Sequence, residues 1–227
     1  MTMPNLIAKH QEKETVTRLK KAYTIMQQLY ITAVNEYGTP DNWELGNSTL
    51  QGNTNLYNIM FKDKGQYAKV CFATPGCVYQ KGKSNYKTLN GSSINSNFDN
   101  QGGNIFINIV FTDGITIFFR TFSNDCSANI GTNNYANECA RIYVDVNGKK
   151  GPNIQGKDFF QFTLAKKGVF PLGAPDSYRL HSFEKTCLNS SNNDYNYGCA
   201  AWVLANENLD YLHCNDLSWN GKTKCKQ

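Results

Sequence analysis

The chain has 227 residues, 40% of them hydrophobic and 13% aromatic, with a formal net charge of +5. That is apolar enough for a buried core and too weakly basic to demand a polyanionic partner. No run reaches the roughly 18 apolar residues a membrane-spanning helix needs, so neither a span nor a secretion signal is expected within it.

Taken in order, residues 1–37 read as one long helix. Apolar side chains at Val16, Leu19, Ala22, Tyr23, Met26, Leu29, Tyr30, Ala33 and Tyr37 recur every three or four positions and draw a single stripe. Arg18, Lys20, Lys21, Gln27 and Gln28 mark the opposite face. Pro4 suits a first turn, and Gly38-Thr39-Pro40 ends the run. At about 1.5 Å per residue the helix is roughly 50 Å long, more than a small core can cover, so its front portion is expected to project. Residues 38–227 then form a globular head, without a linker or internal repeat.

Residues 38–68 predict an irregular connection anchored by Trp43, Leu45, Leu56, Tyr57, Ile59, Met60 and Phe61, with one short helix over 54–61. A short strand is expected at Val70–Phe72, followed by a polar surface excursion over 80–103. Residues 104–111 and 115–122 are β-branched and aromatic and flank Thr112-Asp113-Gly114, a strong hairpin pattern. Further strands are predicted over 140–146 and 159–164. Lys166-Lys167-Gly168 then turns the chain into Val169-Phe170-Pro171. Ala201–Leu204 reads as an apolar strand ended by a turn at Asn206-Glu207-Asn208. An antiparallel sheet with one apolar face must be covered, and the stripe from Val16 to Tyr37 is the long amphipathic surface available. The expected class is α+β, a long N-terminal helix packed against an antiparallel sheet.

Eight cysteines, Cys71, Cys77, Cys126, Cys139, Cys187, Cys199, Cys214 and Cys225, fall in neighbouring couples, and no C-x-x-C occurs. Zinc is thereby a poor fit and disulfides a good one, between 71 and 77, 126 and 139, 187 and 199, and 214 and 225. Each bridge contributes roughly 2 to 3 kcal/mol in the chain-entropy account. Disulfides imply an oxidising compartment and hence export.

With these parts in place, the chain resembles the type IV pilins and the pseudopilins of type II secretion. Met1-Thr-Met-Pro-Asn-Leu-Ile-Ala8 followed by Val16-Thr-Arg-Leu-Lys-Lys-Ala-Tyr23 is similar to the stretch where such helices leave the membrane. So are Cys139-Ala-Arg-Ile-Tyr-Val-Asp-Val-Asn-Gly148, Gly151-Pro-Asn153, Gly156-Lys-Asp-Phe159, Gly198-Cys-Ala-Ala-Trp-Val-Leu204 and Asn208-Leu-Asp-Tyr-Leu212 to blocks of a bacterial branch. Residues 38–138 carry little of the likeness. The basic leader, its peptidase site, the glutamate after it and the apolar anchor of that family are not in these residues, so a start at an internal methionine or a trimmed head is expected. The resemblance implies a structural subunit of a pilus or pseudopilus in the cell envelope, at its surface or in an extracellular filament. Its partners would be other subunits, through Met1, Met3, Pro4, Leu6 and Ile7, and the inner membrane in the full-length precursor.

An active site is not legible. His10, His181 and His213 are scattered, no H-E-x-x-H or G-x-S-x-G occurs, and Glu207 with Asp210 fits a turn better than an acid–base pair. A non-enzymatic role is expected. Residues 145–158 carry the one sharper chemical pattern. Asp145, Asn147 and Asp158 offer hard oxygen atoms around a glycine-rich bend, a donor set suited to calcium, with the Lys149 carbonyl or Asn153 completing it. The spacing departs from an EF-hand, and the competing reading is an Asn-Gly turn in which Asn153 and Asp158 bond backbone amides. The resemblance adds that pseudopilins often hold calcium in a C-terminal loop. An alternative function is an exported minor-pilin head that recognises glycan or DNA through Trp43, Tyr79, Tyr86, Tyr195, Tyr197 and Trp219.

Overall fold

A computed structural model of the chain describes residues 3–78, 86–94, 98, 105–177, 182–188 and 197–226, without the side chains of residues 4 and 5. Met1, Tyr79, Asn104, His181 and Tyr195 lie outside the described residues.

Helix α1 runs without interruption over Met3–Tyr37. The predicted stripe is its buried face: Leu19, Ala22, Met26 and Ala33 are fully enclosed, and Val16, Leu29 and Tyr30 nearly so. Tyr37 is 46% exposed, because the helix ends before its ring can reach the core. Gly38 stops the helix at φ +75°, a left-handed conformation glycine adopts without strain, and its amide bonds the Val34 carbonyl at 2.9 Å. Two members of the expected polar face point at protein instead of water. Arg18 and Gln27 sit on the flanks of the helix, where Gln27 Nε2 donates to the Val169 carbonyl at 2.7 Å.

Helix α2 spans Leu50–Met60 and so begins four residues before the predicted start. Thr49 explains this, since its hydroxyl accepts the Gly52 amide at 3.0 Å and caps the first turn. Gly52 packs so closely that a Cβ there would lie 1.5 Å from the Leu45 carbonyl oxygen. Asn53, fully buried, ties α2 to the sheet: its Nδ2 donates to the Thr49 and Ile105 carbonyls and its Oδ1 accepts the Thr121 amide.

Six strands follow, β1 (Tyr67–Phe72), β2 (Ile107–Phe111), β3 (Thr116–Thr121), β4 (Glu138–Asp145), β5 (Phe159–Ala165) and β6 (Gly168–Pro171). They pair in chain order and every pairing is antiparallel. The α+β class is thus realised, with α1 and α2 on one face of the sheet. Ile107, Ile109, Ile117, Phe119, Ile142, Val144, Phe160, Phe162 and Leu164 line that face. Tyr23 stacks on Phe162 with ring centroids 5.7 Å apart, and Phe61 on Phe119 at 5.2 Å.

The other face is covered too, which corrects the expectation of a polar surface excursion over 80–103. Phe118, Tyr143 and Phe159 alternate with the inward residues and would otherwise present a large aromatic patch to water. Tyr86, Ile94 and Phe98 lie across them and are only 1%, 2% and 3% exposed. Arg141 is buried on the same face, with its guanidinium forked onto both carboxylate oxygens of Glu138 at 2.6 and 3.0 Å. Scattered polar letters conceal this cover, because few of its described side chains do the packing.

Four disulfides join Cys71 to Cys77, Cys126 to Cys139, Cys187 to Cys199 and Cys214 to Cys225, and no cysteine is free. Such a set belongs to an oxidising environment. Ala201–Leu204, expected as a strand, lies in helix α3 (Ala200–Asn206). A four-residue apolar run has no period of its own, and here Glu207 in the left-handed conformation caps a helix.

The C-terminal region also covers more of α1 than its length suggests. Glu12 meets His213 at 2.8 Å and Lys20 meets Glu207 at 2.7 Å. The uncovered part is therefore the front, where Met3 and residues 6–11 are exposed. Leu19→Ala should lower unfolding free energy by about 2 to 5 kcal/mol, whereas Leu6→Ala should change it by under about 0.5 kcal/mol. Urea titration of both variants checks where the head's cover ends.

Candidate functional site

Two features stand out from the fold: the bare front of α1, and the loop joining β4 to β5. Asp145 pairs with Phe159 across the two strands, so residues 146–158 form a closed loop. Gly148 takes φ +58°, and a Cβ there would lie 2.7 Å from the Gly114 carbonyl, so glycine lets this loop stack on the 112–114 turn. Arg18 fastens both to the helix: its Nε donates to the Val146 carbonyl and its Nη2 to the Asp113 carbonyl at 2.8 Å.

Asp145, Asn147 and Asp158 come together, as does Asn153. Asp158 Oδ2 accepts the Asn153 amide at 2.9 Å and Asn147 Nδ2 at 3.0 Å, and its Oδ1 accepts the Ile154 amide. Asp145 Oδ1 accepts the Asn147 amide at 3.2 Å, and its Oδ2 accepts the Tyr86 hydroxyl at 3.0 Å. These bonds satisfy the turn reading. They leave two features it does not explain.

Firstly, Asp145 is 0% exposed and Asp158 2% exposed, which buries two carboxylates side by side. Burial, and then repulsion from Asp158, push the Asp145 carboxyl well above its ordinary value of 3.8, and burial raises Asp158 as well. Secondly, Asn147 Oδ1 is buried without a hydrogen-bond partner. The fully buried Asn153 side-chain amide, by contrast, fits the turn, with one end 2.7 Å from the Gly148 carbonyl and 3.3 Å from Asp145 Oδ2. With nitrogen inward it donates to both.

Among the described residues no three His, Cys, Asp or Glu side chains gather. The loop offers two carboxylates, and its remaining donors are amide and carbonyl oxygens. Softer metals disfavour that set, whereas calcium accepts it and fills its other positions with water. The carbonyl facing Asn153 is that of Gly148, where the sequence pointed to Lys149. A cleft of about 390 Å³ between α1 residues 8–18 and the loop reaches Asn147 and Asp158 from solvent.

Sequence reasoning placed Tyr86 among exposed aromatics and so missed it here. It lies 59 residues from Asp145, and no local pattern joins them. Trp43 is likewise enclosed at 2% exposure, with Nε1 bonded to the Gly38 carbonyl. Trp219 is half-buried, 5.2 Å from Trp202, and donates to the Gly173 carbonyl. Tyr197 is half-buried. Of the described aromatics expected to receive glycan or DNA, Trp43 and Tyr86 are enclosed, while Tyr197 and Trp219 keep part of their surface exposed.

The raised Asp145 pKa fixes a sign. Between 3.8 and the folded value the native protein holds a proton that the unfolded chain has lost, so stability falls as pH rises through that window. In chelator, the urea midpoint of the wild type should fall relative to that of Asp145→Asn as pH is raised from about 4 to neutrality. Parallel curves for the two proteins would show that Asp145 ionises in the fold without penalty.

The profile of one family, described as a family of unknown function (DUF6613), matches residues 5–201. No curated protein and no solved structure matches the chain.

Proposed function

We propose that this chain, which belongs to the family of unknown function DUF6613, is the exported head of a filament subunit of the type IV pilin or type II pseudopilin kind. The observation that carries this reading is the bare front of α1. Met3, Leu6 and Ile7 are 78%, 55% and 54% exposed on the same unbroken helix whose next turns are sheathed by sheet and C-terminal region. A rigid helix continuing past its own core with large apolar side chains is suited to packing beside the same helix of neighbouring subunits. A long helix laid on an antiparallel meander, with four disulfide-stapled loops, supports a pilin-like arrangement. In this reading the role is structural, the site is the cell envelope or a surface filament, and the precursor is held in the inner membrane.

The loop over 145–158 serves the same role as a calcium staple. Asp145, Asn147, Asn153, Asp158 and the Gly148 carbonyl are its ligands, and the ion supplies the positive charge that two buried carboxylates require.

Two measurements test these statements. Glutamate at both Leu6 and Ile7 in the full-length protein should deplete the subunit from sheared filaments at least about tenfold while leaving the melting temperature of the head unchanged. Normal incorporation would refute the filament reading. Calorimetry on chelator-treated head should show one calcium ion bound with a rise in melting temperature, and Asp145→Asn should abolish the heat. Without heat in the wild type, the staple is wrong.

A further inference from the structure

The segment Tyr86–Ile94 is a strap across the aromatic face of the sheet, and its fastenings lead to the β4–β5 loop. Its ends meet through Ile94 N and the Tyr86 carbonyl at 2.9 Å, and a turn within it is closed by Thr88 N and the Ser92 carbonyl at 2.9 Å. Outward from that small hairpin, Lys87 N donates to the Asn153 carbonyl at 3.0 Å and the Lys87 carbonyl accepts Gln155 N at 2.8 Å. The Tyr86 hydroxyl donates to Asp145 at 3.0 Å. The Tyr86 ring meanwhile stands 5.1 Å from Phe159 and 5.6 Å from Phe98.

We propose that Tyr86 is a positioning residue for the cation, so that filling the β4–β5 loop fixes the strap over the aromatic face and emptying it loosens the strap. The inference rests on the calcium reading of that loop and extends it to regulation of a surface. Asn153 is the pivot. Its side-chain amide faces Asp145 and the Gly148 carbonyl, while its backbone carbonyl holds Lys87, so an ion that turns the amide oxygen inward orders the peptide that anchors the strap. Tyr86 completes the circuit, because a hydrogen bond to a metal-binding carboxylate sets that carboxylate's orientation. Coupling of this kind is reciprocal: what calcium does for the strap, the strap does for calcium affinity.

Hydrogen exchange on the unmodified head, with calcium and with chelator, reads the coupling directly. The amides of Lys87 and Ile94 should exchange at least about tenfold more slowly with the ion bound. Tyr86→Phe should weaken calcium binding about tenfold and shrink the calcium-induced rise in melting temperature. A Tyr86 that only packs would instead lower the melting temperature equally in both conditions. Calcium heat with unchanged exchange at Lys87 and Ile94 would overturn the coupling alone, and absence of calcium heat would overturn the staple and the coupling together.

Discussion

The structure depends on burial of one helical stripe. From Val16 to Ala33 the apolar side of α1 lies against the face formed by alternate residues of β2 to β5, and the enclosed side chains there include Leu19, Met26, Ile142 and Phe162. At roughly 25 cal/mol per Å² of apolar surface, contact along five turns of helix outweighs any single hydrogen bond in the head. The polar ties of the helix serve register instead. Arg18 aligns it with two turns, Gln27 and Tyr30 align it with the carbonyls of Val169 and Lys166, and a hydrogen bond to His213 and an ion pair to Glu207 draw the C-terminal region onto it. The Lys20–Glu207 pair is solvent-exposed and adds little energy by itself.

A sheet that is apolar on both faces needs two covers. The second is made by the strap and Phe98, and its cost is visible in buried polar groups. Arg141 and Glu138 compensate each other within the layer. Asp145 and Asp158 do not, since both are acidic and both are desolvated. Burial raises the carboxyl pKa of both, so the protonation of this loop is tied to the pH around the protein. The Asn153 amide, with its nitrogen towards Asp145 Oδ2 and the Gly148 carbonyl, supplies a donor to this acidic pair.

Three of the four disulfides close the sheet edge and the C-terminal region, and the fourth, Cys126–Cys139, lies buried at β4. Cys71–Cys77 closes the end of the edge strand β1, and Cys187–Cys199 and Cys214–Cys225 hold the C-terminal segments that contain little regular structure. These segments support α1 and the Trp202–Trp219 contact, so the covalent closures preserve a surface that helix and strand hydrogen bonds do not.

Much of this was written locally in the chain. The stripe of α1 and its stop at Gly38, the hairpin around Asp113-Gly114 and the bonded neighbouring cysteine couples depend on residues a few positions apart, where periodicity and turn chemistry act. Asp145, Asn147, Asn153 and Asp158 could be grouped for the same reason, since one loop carries them all. What the tertiary structure alone decided joins distant residues: that Tyr86 bonds Asp145, that an apparently polar excursion covers an aromatic face, that Ala201–Leu204 is helical, and that the C-terminal region sheathes α1 up to Glu12. Those outcomes follow from which surfaces remain unburied once the sheet has formed, and no short stretch of sequence contains that information.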